Sequence, residues 1–163
     1  MYITFRPLEE NDAYTSWKWR NDPEVFKNTG KQFSGPIMLE DELNWIRTAL
    51  ARTNERRFAI LADGKYIGNV NLTNITAEDA EIGIFIGEKE YWGKRIGQIV
   101  TNKIIRNAFN TLKLKRIHCI IRSEHKNAIK QCLNNGFKIY LCEEDFIHLQ
   151  ITANTLINDF SCR

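Results

Sequence analysis

The sequence predicts an α+β fold. It reads as a mixed, mostly antiparallel sheet of about seven strands, flanked by helices and crossed by one parallel strand–helix–strand unit. Three observations carry this. The first half contains short strand-like runs with hairpin signals, above all "RFAILADGKYIGNVNL", where Asp63-Gly64 joins two apolar runs. A strand-like stretch, "DAEIGIFIG" (79–87), leads into a helical pattern over 94–111 and then into a second strand, "KRIHCIIR" (115–122). The chain closes on a short helical segment and two more apolar runs.

In order, "YITFR" (2–6) alternates as a first strand. Residues 11–21 read as a helix that stops at Asp22-Pro23, because the residue before proline is pushed out of the α region. "GKQFSGP" (30–36) reads as a loop. Residues 39–52 place Leu39, Leu43, Ile46 and Leu50 on one helical face. The helix over 94–111 carries a stripe of Ile96, Ile99, Val100, Ile104, Ala108 and Phe109. Residues 125–134 form a short helix closed by Asn135-Gly136. "FKIYLC" and "FIHLQIT" supply the last strands. The 163 residues fit a single domain without repeats or linkers, in which 1–78, 79–137 and 138–163 are successive parts.

Composition narrows the classes. Apolar residues make up 43%, which is globular rather than disordered. No apolar run suits a secretory leader or a membrane span. Cys119, Cys132, Cys142 and Cys162 show no metal spacing, so no metal is expected and a reducing cytoplasmic setting is. Residues 94–130 hold ten Lys/Arg against the lone acid Glu124; that segment carries +9 and the rest of a +3 chain carries −6. Such a basic half suits a polyanionic partner or a solvated helix face. A nucleic-acid partner is not expected. Strand binders interleave aromatic with basic residues, and between 94 and 130 the lone aromatic, Phe109, falls on the apolar stripe.

The stretch "EYWGKRIGQ" (90–98) sits where a strand turns into a helix. Ligands of β-α-β units collect at the carboxyl ends of the strands, and a helix N-terminus offers unsatisfied N–H groups to an anion. A magnesium P-loop is excluded: five residues separate Gly87 from Gly93, and Arg95 stands where Ser or Thr is needed. What remains is a metal-free phosphate cradle on Gly93, Lys94, Arg95, Ile96, Gly97 and Gln98, or a plain turn.

Residues 79–137 resemble the GNAT superfamily of acyl-CoA-dependent N-acetyltransferases. In that family a Q/R-x-x-G-x-G/A loop opens the helix. "WGKRIG" (92–97) aligns with it, keeping Gly97 but carrying Trp92 for Gln/Arg and Arg95 for the first required glycine. "NAIKQCLNNGF" (127–137) resembles a second signature, with Asn127, Ala128, Gly136 and Phe137 in place. "FRPLEENDA", "WRNDPEV" and "YWGK" are similar to the branch of ribosomal-protein alanine and amino-sugar acetyltransferases.

The resemblance implies a bound acetyl-CoA. Its pyrophosphate would lie on residues 93–98, its pantetheine arm on the backbone of Ile84, Phe85 and Ile86, and Asn127 would contact it. Glu81 is implied as the base that frees the amine, against the alternative of an exposed strand-end charge. The family's tyrosine acid, four residues before the glycine of "GF", is replaced by Cys132, which is either a thiol acid or an inert core residue. Trp19, with Arg20 and Asn21, is the expected acceptor wall. His118, inside an apolar strand, reads as structural. The expected acceptor is a small-molecule amine such as a nucleotide-linked amino sugar, with a protein N-terminus as the alternative; a CoA-binding pseudoenzyme is the third reading. A homodimer is left open.

Overall fold

The computed structural model describes residues 1–27 and 35–158, so most of the expected loop at 30–36, and Cys162, lie outside the described residues. Seven strands form one sheet: β1 (Ile3–Pro7), β2 (Arg56–Ala62), β3 (Lys65–Thr73), β4 (Asp79–Ile86), β5 (Arg116–Arg122), β6 (Lys138–Cys142) and β7 (Phe146–Thr152). Their spatial order is β1-β2-β3-β4-β5-β7-β6. Neighbours pair antiparallel except β4 with β5. The helices are α1 (Ala13–Arg20), α2 (Pro23–Phe26), α3 (Leu39–Leu50), α4 (Ile96–Asn110), α5 (Lys126–Asn134) and α6 (Ala153–Asn158).

The expected hairpin at Asp63-Gly64 is present, with both residues at positive φ (48° and 86°), as a tight turn between twisted strands requires. The break at Asp22-Pro23 is there too, but it also starts something. The Asp22 side chain accepts from the Glu24 N–H at 3.0 Å and Pro23 takes the first helical position, so α2 begins where the reading saw only a stop. α6 was not anticipated either.

Strand alternation sorts the core into two layers. On β2, Ile60 joins the larger cluster, with Val70, Leu72, Ala80, Ile82, Ile117, Leu149 and the inner face of α4. Its neighbour Ala59 points the other way, into a smaller cluster with Leu8, Ala13 of α1 and Ile46 of α3. α4 and α5 therefore share one face of the sheet and α1 and α3 cover the other near β1–β3. Both β4-α4-β5 and β5-α5-β6 run the same way along the sheet, and right-handed crossovers put their helices on one side.

Two apolar assignments need correction. Leu50 is exposed, and α3 buries Glu42, Ile46 and Ala49 instead. On α4 Ile99 is exposed, while Thr101 and Ile105 turn inward. The rest of the expected faces is in place, with Leu39 and Leu43 packed on the cluster of Ile46 and with Ile96, Val100, Ile104, Ala108 and Phe109 in the large core; α3 also gives a place to a carboxylate that has an internal partner.

Candidate active site

The β4–β5 pairing ends early. Its three rungs are Asp79↔Arg116, Ala80↔Ile117 and Glu81↔His118. Beyond them β4 runs on to Ile86 along β3, and β5 to Arg122 along β7. The two strands part, and a wedge opens whose β4 wall is Ile84, Phe85 and Ile86. A strand edge of this kind can take an extended ligand by main-chain pairing. At the far end the indole Nε1 of Trp92 donates to the Ile86 carbonyl at 2.8 Å, which ties the following loop to the strand.

That loop delivers the N-terminus of α4 to the wedge. The helix starts at Ile96, not at 94, because Arg95 is left-handed (φ 58°, ψ 16°) and forms the cap. Its first backbone bond runs from the Ile99 N–H to the Arg95 carbonyl at 3.2 Å. Ile96, Gly97 and Gln98 are thus the first-turn donors with no carbonyl behind them. No side chain caps the end and no acidic residue lies in the first turn. Lys94 and Arg95 are exposed beside it. An uncapped, uncompensated helix N-terminus with two cations fits an anionic group, and the fit is to phosphate rather than metal.

Arg95 now has a physical account. The glycine expected here would supply positive φ, and the arginine adopts that conformation regardless, at about 1 kcal/mol. Replacing it with glycine relieves the strain but loosens the unfolded chain. We expect Arg95→Gly to be neutral or to stabilise by up to about 1 kcal/mol in urea unfolding, and Arg95→Ala, which keeps the strain, to give no gain. Equal stability shifts for the two variants would remove the strain argument.

Gly97 is needed for a different reason. A Cβ there would stand 2.5 Å from the Gln131 Oε1, so its absence lets α5 pack against the start of α4. Asn127, in the first turn of α5, is exposed.

Glu81 and His118 form the last parallel rung, and both alternate to the face away from α4 and α5. Their strand neighbours Ala80, Ile82, Ile117 and Cys119 are in the large core. Glu81 is half-buried and accepts from the Asn74 Nδ2 at 3.2 Å. The same face carries Asn69, Asn71 and Thr73 of β3, cross-strand from Phe85, Gly83 and Glu81. Gln150 of β7 stands opposite His118. The His118 Nδ1 is buried without a hydrogen-bond partner among the described residues. Asp79 is held below the usual carboxylate range by its hydrogen bond from Arg116.

Cys132 lies on the opposite face. Its Sγ is 3.7 Å from that of Cys119, the residue following the last rung on β5. The sulfur–sulfur hydrogen bond holds the Cys119 thiol well above its ordinary value, with burial adding to this, and it eases ionisation of Cys132 against the opposing effect of burial. Glu81 and Cys132 thus flank the wedge from two sides of the sheet.

Residues 3–138 match the family described as an acetyltransferase (GNAT) domain. The chain belongs to the GNAT family. It is an acyltransferase whose co-substrate is acetyl-CoA. It is 27% identical over 145 residues to the acetyltransferase PseH of Campylobacter jejuni, covering 89% of this chain and 88% of that one. Its fold is similar to that of spermidine N-acetyltransferase from Vibrio cholerae in complex with CoA and spermine (TM-score 0.85, 23% identity, 96% and 98% of the chains). It is likewise similar to that of C. jejuni PseH in complex with acetyl coenzyme A (TM-score 0.73, 22% identity, 93% and 99%).

Three side chains of this GNAT domain expected to wall the acceptor have other partners. Trp19 is 5% exposed; its Nε1 donates to the Glu88 Oε1 at 3.0 Å, and its ring packs on Tyr66, Phe85 and the bare face of Gly87. Arg20 is ion-paired with Glu42 and stacked 4.0 Å over Trp45. Asn21 clamps the Ile37 backbone through two 2.8 Å bonds. The reading passed over the polar face of β3, because Asn and Thr at alternate strand positions look like ordinary solvated residues. His118 reads as structural because it lies inside an apolar strand, and its rung with Glu81 becomes visible only in the register. Among the described residues no group of His, Cys, Asp or Glu could hold a metal ion, and no helix is long and apolar enough to cross a membrane.

Proposed function

We propose that this enzyme acetylates a primary amine of a small molecule, a nucleotide-linked amino sugar being the acceptor class. The observation that carries the reading is the wedge between β4 and β5, with Glu81 at its apex and the uncapped N-terminus of α4 at its mouth. Residues 93–98 hold the pyrophosphate of acetyl-CoA, the backbone of Ile84, Phe85 and Ile86 lines its pantetheine arm, and Asn127 contacts that arm. The thioester then sits between Glu81 on one face and Cys132 on the other. An amine is mostly protonated at neutral pH, and Glu81, directly or through water, takes its proton so that the lone pair can attack. Cys132 returns a proton to the departing thiolate. The thiol then resets by exchange with solvent.

The acceptor face supports the sugar assignment. Asn69, Asn71, Thr73, His118 and Gln150 bring hydrogen-bonding groups suited to hydroxyls. Among the described residues, Asp79 on this face is already paired with Arg116, which leaves Glu81 as the carboxylate near the apex. A polyamine needs more than one carboxylate for its distal ammonium groups. Arg57 of β2 and Arg122 of β5 alternate to this face as well; they are paired with Glu55 and Glu124, and a diphosphate would have to compete with those carboxylates for them. The free thiols support a cytoplasmic setting. β6, exposed along its length at the sheet edge, is the surface on which a second copy would pair in a homodimer.

An acceptor panel tests this. With acetyl-CoA, kcat/KM on UDP- or dTDP-linked amino sugars should exceed that on spermidine and on peptide N-termini by about a hundredfold, since buried groups left unpaired penalise the wrong acceptor. A polyamine or peptide at the head of the ranking overturns the acceptor assignment, and no thiol release with any amine overturns the activity.

A further inference from the structure

We propose that Cys119 and Cys132 are an oxidisable dithiol, a covalent modification site at which a peroxide forms an intrachain disulfide that staples α5 to β5 and stops acetyl transfer. The two residues are 13 apart in sequence, and the fold brings their Sγ atoms to 3.7 Å. Both are free thiols, 5% and 8% exposed, with no other sulfur or polar side chain bonded to them among the described residues. A disulfide needs about 2.0 Å between sulfurs, so the pair must close by about 1.7 Å, which side-chain rotation and a small shift of the nine-residue α5 supply.

The chemistry balances with a peroxide as oxidant. The Cys132 thiolate attacks one peroxide oxygen, the O–O bond breaks, and sulfenic acid and water result. The Cys119 sulfur then attacks the sulfenic sulfur, the S–O bond breaks, and its thiol proton leaves with the hydroxyl as a second water. Two thiols lose two electrons and the peroxide gains them. Either sulfur can donate to the other, and Cys132, the more exposed of the two at 8% against 5%, is the one the peroxide reaches first. The staple acts on the site through position. Cys119 directly follows the rung at which β4 and β5 part, and Gln131, the neighbour of Cys132, packs over Gly97 at the start of α4.

The test uses the full chain with Cys142→Ser and Cys162→Ser, which leaves these two thiols. After hydrogen peroxide the intact mass should fall by about 2 Da. Non-reducing digestion should link the peptides carrying 119 and 132, and both should resist alkylation until a reductant is added. Adding Cys119→Ser should abolish the link and leave oxygen on Cys132. Acetyl transfer, each protein taken relative to its own untreated rate, should fall about tenfold or more and return with dithiothreitol. That last arm rests on the proposed role of Cys132; the mass and the cross-link do not. Oxygen added to both thiols without a link, or no change in mass, overturns the site. A complete cross-link with unchanged acetyl transfer overturns its effect on the reaction.

Discussion

Glu81→Gln should lower kcat for acetyl transfer by about a hundredfold to a thousandfold, the usual contribution of a positioned base. Gln keeps the side chain's size and its bond from Asn74, so the fold should be intact. Acetyl-CoA affinity should also hold, because the residues proposed to bind it lie beyond the rung that Glu81 shares with His118. The deficit should shrink as pH rises toward the amine's own pKa, where a growing share of acceptor is already neutral. Steady-state kinetics from neutral to alkaline pH measure both. An unchanged kcat, or a deficit independent of pH, removes Glu81 as base.

Glu42→Ala should destabilise the protein by about 3–5 kcal/mol. Glu42 is 1% exposed, takes a 2.6 Å bond from the Ser16 hydroxyl and is ion-paired with Arg20. Burial already lowers the Arg20 pKa, opposed by the charge of Glu42. Removing the carboxylate takes from the buried Arg20 guanidinium its ion-pair partner between α1 and α3. Replacing both partners by methionine should recover most of the loss, since an apolar pair leaves no unpaired charge. Urea unfolding of the three variants decides the matter; a single-variant loss below about 1 kcal/mol would mean that the pair is as weak as a surface one. The pair matters to function because α1 carries Trp19, which backs Phe85 and Gly87 at the end of the wedge wall.

These two carboxylates show what the sequence reveals. Glu81 stands out in the sequence through the family likeness, and its half-buried place on the last parallel rung needed the register. Glu42 does not stand out, because a charge in the first turn of a helix ordinarily faces water. Its burial depends on Arg20 and Ser16, which are 22 or more positions away. The strands and the parallel crossover were readable from local apolar runs, Asp63-Gly64 and Asn135-Gly136. The insertion of β7 between β5 and β6 was not, since period-2 patterns carry no information on partner order. The strand-to-helix loop at 90–98 stands out in the sequence, but its oddest residue, Arg95, needed a backbone angle to be understood. Cys132 was found by counting back from Gly136, whereas its partner Cys119 emerged only from the packing of α5 on β5.

The account rests on the wedge and the α4 terminus as the place of acetyl-CoA, and calorimetric titration of the protein with acetyl-CoA tests this most directly. It should show saturable, stoichiometric binding with a raised melting temperature, weakened by salt and retained in Glu81→Gln. An absence of binding at millimolar acetyl-CoA would contradict it.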